Sequence, residues 1–157
     1  MNHPHFGELD TSSIEGRDVV WERDLVLEGQ AVDVALWADA GQVLDPGMLD
    51  AFASLLQDLA GVDARARVHL LAELEADDDF ITYHTDEGEN FPGLAAIAPD
   101  GAITPAAFVQ AMRLTHASLW ADGLVVLDYQ MDPEHSDQIL AVKLDPQGQL
   151  QEIAWES

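Results

Sequence analysis

The chain has 157 residues, the size of one ordinary domain, and its balance of 48% hydrophobic to 23% charged residues excludes disorder. Thirty acidic residues face six basic ones, Arg17, Arg23, Arg65, Arg67, Arg113 and Lys143, and the resulting formal charge of −24 argues against nucleic acid and anionic membranes as partners. Cysteine is absent, which removes disulfides, zinc thiolates and thiol nucleophiles together.

The opening Met1-Asn2-His3-Pro4-His5-Phe6-Gly7 has neither the basic nor the apolar region of a signal peptide, and residues 1–7 are expected to be flexible. No apolar run approaches the ~20 residues of a membrane helix, so the expected location is the cytoplasm.

Asp18 to Leu27 reads as a strand, with Trp21, Arg23, Leu25 and Leu27 on one face. After Glu28-Gly29-Gln30, a second strand alternates Val32, Val34 and Leu36 against Asp33, Ala35 and Trp37, completing a hairpin. The period then changes. Asp45 followed by Pro46 is a helix start, because the carboxylate caps and proline has no N–H to leave unpaired. Met48, Leu49, Phe52, Leu55, Leu56 and Leu59 follow at helical spacing, with Gly61 as the expected C-cap. Asp63 would cap a second helix bearing Val68, Leu70, Leu71 and Leu74.

From Glu73 to Asn90 the chain is sparse and acidic, without Lys or Arg, and reads as a loop. Acids at a helix C-terminus oppose the macrodipole by about 0.3–1 kcal/mol each, so either the second helix ends early, near Leu74, or the charge is kept for another use. Thr104-Pro105 repeats the cap-plus-proline start for a short third helix. The remainder is a meander: Arg113–Trp120, which could instead prolong the third helix, then Leu124–Met131, Gln138–Leu144 and Gln149–Trp155, separated by turn signals such as Asp122-Gly123. Residues 1–157 thus read as a single α+β domain, its mainly antiparallel sheet built from an N-terminal hairpin and a C-terminal meander, with two to three helices on one face.

No catalytic residue stands out. There is no Gly-x-Ser-x-Gly, no phosphate-cradling glycine loop and no Ca²⁺-loop spacing, so neither a metal nor another cofactor is assigned. His69, His116 and His135 are each isolated in sequence. The candidate binding surface is the acidic segment, Asp77, Asp78, Asp79, Asp86, Glu87 and Glu89, whose carboxylates suit Lys and Arg on a basic protein. Two other readings stand beside it. One is a housekeeping domain whose acidity serves solubility; the other is a carboxylate-based, metal-dependent hydrolase using His84. Four tryptophans, Trp21, Trp37, Trp120 and Trp155, fall on predicted strands, where one or two exposed among carboxylates would anchor an interface.

The opening Phe6-Gly7-Glu8-Leu9-Asp10-Thr11-Ser12 and the ending, Leu127-Asp128-Tyr129, Leu140-Ala141-Val142-Lys143-Leu144-Asp145-Pro146-Gln147-Gly148 and Trp155-Glu156-Ser157, resemble a bacterial family called domain of unknown function two thousand four. Some members of that family are regarded as immunity proteins of polymorphic toxin systems. The resemblance implies a small cytoplasmic protein that binds and blocks a cognate secreted toxin. It carries over no catalytic residue.

Overall fold

A computed structural model describes residues 1–157. Short strands β1 (Asn2–His3) and β2 (Gly7–Glu8) precede the long hairpin of β3 (Arg17–Leu27) and β4 (Gln30–Asp39). A helical block follows: α1 (Pro46–Gln57), α2 (Leu59–Ala76), α3 (Asp79–Asp86), a single 3₁₀ turn at Gly88–Asn90, α4 (Pro92–Ile97) and α5 (Pro105–Ala111). The chain ends in β5 (Arg113–Leu119), β6 (Val125–Gln130), β7 (Ile139–Leu144) and β8 (Leu150–Glu156). The architecture is α+β, as expected from the order of strands, helices and strands.

The hairpin turn is two residues long. Glu28 and Gly29 both take positive φ, the paired left-handed conformation whose twist matches the flanking strands. The six long strands form one sheet in sequence order, β3-β4-β5-β6-β7-β8. Every pairing is antiparallel except β4–β5, which is parallel because the whole helical block lies between those strands.

Side-chain alternation divides the sheet into two faces. One carries Val34, Ala117, Leu127 and Val142 in a single cross-strand row, all buried in the core with Leu49, Phe52, Leu70, Leu74 and Phe108 from the helices. The helices cover this face and leave the other to the strands alone. At about 25 cal/mol per Å² of apolar surface, the burial of this row under its helical cover is what chiefly holds the layers together.

The helix boundaries refine the sequence reading. Asp45 accepts from Gly47 N–H at 2.9 Å and starts α1, and Thr104 accepts from Ala107 N–H at 3.2 Å and starts α5, both with proline in the first turn. The break after α1 comes at Asp58, not at Gly61, which lies inside α2. A Cβ at position 61 would lie 2.5 Å from the Asp58 carboxylate, an exposed side chain that would have to turn aside. Asp63, expected as a cap, is a buried residue inside α2. Of the acidic segment, expected as a loop, Glu73 to Ala76 continue α2 past Leu74, and the rest folds as α3 and the 3₁₀ turn because Phe80, Ile81 and His84 give it a buried face.

Residues 1–7, expected to be flexible, are pinned. His3 and Phe6 are buried, with Phe6 edge-on to Trp21 at 4.8 Å and stacked toward Phe52 at 6.0 Å. His3 Nδ1 accepts from the His5 amide at 3.0 Å, so Nε2 carries the proton and donates to Asp50 at 2.8 Å. Local pairing of β1 with β2 shapes this lead, and contacts with the distant Trp21, Asp50 and Phe52 fix it to the body of the fold.

Candidate functional site

The acidic segment separates into two groups. Asp77, Asp78 and Asp79 sit at the start of α3 with their carboxylate oxygens within 4.8 Å of one another, and Asp77 Oδ1 accepts from the Asp79 amide at 3.0 Å. Asp86, Glu87 and Glu89 lie at its far end, one helix length (about 10 Å) away at 1.5 Å per residue. All six lie outside the core, and none is buried. The helix thus presents negative charge at each end rather than a single patch.

His84 lies on the buried side of α3, fully enclosed with Phe80, Phe91 and Phe108 around it. Its Nδ1–H donates to the Phe80 carbonyl at 2.8 Å, so Nε2 accepts the Ser136 hydroxyl proton, also at 2.8 Å. Burial pushes its pKa below the ordinary histidine value, against weaker upward pulls from the Phe80 hydrogen bond and from Asp132 and Glu87. This neutral, enclosed imidazole bridges α3 to the β6–β7 connection. Both of its nitrogens are engaged inside the fold, and it does not form a site with the six acids.

A second buried polar unit ties the layers together. Asp63 accepts from the Tyr129 hydroxyl at 2.7 Å and from Arg67 Nε at 3.0 and 3.1 Å. Arg67 Nη1 also donates to the carbonyls of Val109 and Met112 at 2.6 and 2.9 Å, at the end of α5. Its guanidinium lies 5.3 Å from the Tyr129 ring centroid. One carboxylate thereby fixes α2 to α5 and to β6, and burial beside that charge pushes the Tyr129 phenol strongly up. With its donors and acceptors satisfied internally, this unit is structural.

The uncovered sheet face holds a groove. It has a volume of about 470 Å³ and is lined by residues of β3, β4, β5 and β6 together with Trp120, which follows β5, and no helix contributes to it. The register explains its shape. In the parallel pair, Asp33 lies beside His116 and Ala35 beside Ser118, while Trp37 and Trp120 continue these rows. Small residues make the floor, and large or charged ones make the rim.

Three ionisable groups cross the sheet in a single row, Asp33 on β4, His116 on β5 and Asp128 on β6. His116 Nε2 lies 3.9 Å from Asp33 Oδ2, and Nδ1 lies 4.0 Å from Asp128 Oδ2. His116, isolated in the sequence, therefore stands between two carboxylates. Nδ1 is also 3.0 Å from the Thr115 hydroxyl, whose own proton goes to Gln130 Oε1 at 2.8 Å, so Nδ1 is the donor in that contact. Because the carboxylates approach opposite ring nitrogens, the trio cannot converge on one metal ion.

Asp128 is the acid whose pKa is raised, to about 6. Burial is the first cause; Glu156 also raises it, and His116 and Lys143 pull the other way. Asp33 Oδ1 is buried without a hydrogen-bond partner. A carboxylate perturbed by burial, as Asp128 is, is a common mark of binding and catalytic surfaces. Within the row, Asp128 is the group placed to exchange a proton near pH 6. Ser118 lines the groove two residues beyond His116 on the same strand.

The local cations are engaged elsewhere. Arg17 donates to Asp39 through Nε at 2.9 Å and Nη2 at 3.4 Å. Lys143 lies 3.3 Å from Glu156 and 5.4 Å from the Trp120 ring centroid. The sequence signal for this surface is the matched spacing of Asp33-Ala35-Trp37 and His116-Ser118-Trp120, which becomes meaningful only once β4 and β5 are known to be parallel neighbours. No helix is long and apolar enough to cross a membrane. Comparison with family models, with curated proteins and with solved structures finds no match to this chain.

Proposed function

We propose that this chain is a non-enzymatic, cytoplasmic protein-binding domain, an immunity- or antitoxin-like inhibitor that covers the working surface of a basic partner such as a cognate secreted toxin. Charge carries the reading. Of its six Lys and Arg residues, Arg17, Arg65, Arg67 and Lys143 are each within ion-pair distance of an acid of the same chain, against a total of thirty acids. The field reaching solvent is therefore overwhelmingly negative, which speeds encounter with a positive surface and rejects negative ones. The resemblance to domain of unknown function two thousand four supports the same role. Toxins that act on nucleic acid require basic clefts, and a domain of this charge occupies such a cleft as phosphates would.

Two surfaces suit this role, the acids at both ends of α3 and the sheet groove with its two tryptophans. The test begins with the immobilised chain and lysate of its own organism at low salt. Any basic protein retained is then purified, and its affinity and its own activity are measured with the chain present. A 1:1 complex that weakens as salt rises, and in which the partner loses activity, is the expected result. Failure to retain any basic protein overturns the reading. Replacing Asp77, Asp78, Asp79 and Asp86 by Asn, and Glu87 and Glu89 by Gln, tests the α3 surface separately, since unchanged affinity removes it from the interface.

A further inference from the structure

We infer that the sheet groove is a slot for an arginine side chain of the basic partner, seated over Ala35 and Ser118 with its guanidinium facing Asp33 and Glu22. The inference rests on the proposed role of the chain as a binder of a basic protein, and it names the chemistry of the contact. Three observations support it. The groove lies on the one sheet face that no helix covers, and its floor is made of small side chains. Its charges are out of balance, because Arg17 is bound through two nitrogens to Asp39 and Lys143 is held by Glu156, whereas Asp33 has His116 at 3.9 Å and a buried Oδ1 that accepts nothing. Glu22, on the edge strand, adds an exposed carboxylate to the same rim.

The third observation selects arginine over lysine. Trp37 and Trp120 line the groove, and Lys143 already lies over the Trp120 ring, which leaves Trp37 as the stacking surface. An arginine lays its apolar stem along an indole and forks its planar guanidinium onto a carboxylate further on, whereas an ammonium is a hydrated point charge that cannot fork. A slot with an aromatic wall at one end and carboxylates at the other matches the first shape.

The probe is N-acetyl-arginine amide, titrated into the ¹⁵N-labelled full chain, with the lysine and citrulline amides as controls at equal ionic strength. The expected result is a saturable shift of the Trp37 and Trp120 indole N–H signals, with Trp21 and Trp155 unmoved, citrulline inert and lysine weaker. Asp33→Asn should weaken binding about tenfold, the effect of losing one charge-assisted hydrogen bond. Glu22→Gln, on the exposed rim, supplies a second variant that keeps the fold and should also weaken it. Four indoles drifting together without saturation, or equal binding by citrulline, overturns the slot. Arginine binding by a chain that retains no basic protein would uphold the slot and sink the inhibitor reading. A basic partner bound equally well by Asp33→Asn would do the reverse.

Discussion

Replacing Asp128 by Asn should stabilise the protein at neutral pH, and the gain should vanish in acid. The carboxyl is only 23% exposed on the sheet, and burial with Glu156 nearby raises its pKa from 3.8 to about 6. The folded state therefore takes up this proton before the unfolded state as pH falls. Stability from this site is present below about pH 4 and is lost as pH rises through 6. A displacement of about two pH units at 1.36 kcal/mol each amounts to ~3 kcal/mol at pH 7.5. Asparagine removes the buried charge and keeps the shape, at the loss of the attraction to His116, so a gain of about 2 kcal/mol is expected. Urea unfolding of both proteins between pH 4 and 8 gives the difference curve, in which contributions common to the two cancel. A flat curve, or a variant less stable than the parent at pH 7.5, would show that burial of this carboxyl carries no such cost.

Other groups make different demands. Asp63→Ala should cost about 3–5 kcal/mol, because it leaves the part-buried Arg67 and the buried Tyr129 hydroxyl without their partner, while Tyr129→Phe should cost about 1–2 kcal/mol. A loss under about 1 kcal/mol for Asp63→Ala in denaturant titration would remove its role in joining α2, α5 and β6. His84 behaves oppositely to Asp128. Its pKa is lowered on folding, so its contribution is complete above the ordinary value of 6.5 and declines as pH falls below it, when the unfolded chain takes the proton first. Nitrogen-detected NMR should show a neutral ring protonated on Nδ1 at pH 6.5, and a ring already charged there would refute the assignment.

Much of the fold is written locally. The Glu28-Gly29 turn, the Asp45-Pro46 and Thr104-Pro105 helix starts, and the turn signals that separate the last strands are short-range signals, and each forms at or near its expected place. Where sequence and structure part, the partner is distant. Asp63 looks like a cap because caps and buried acids share a residue type; its true partner, Tyr129, is 66 positions away. The pinning of residues 1–7 depends on Trp21, Phe52 and Asp50. The acidic segment is prominent because its charges are contiguous, whereas the groove is assembled from four strands, none of which looks unusual alone. Its decisive relation, Asp33 beside His116, exists only through the parallel pairing of β4 with β5.

That pairing also sets an order of events in synthesis. The hairpin of β3 and β4 leaves the ribosome with β4 lacking its second neighbour, and residues 40–112 must follow before β5 can supply it. At about 5–20 residues per second the wait is on the order of ten seconds. During that time a bare edge bearing Val32, Val34 and Leu36 is open to pairing with another nascent chain. Asp33 sits within that edge, and an anionic chain repels its own copies. The acidity that marks the finished surface therefore also guards the unfinished one.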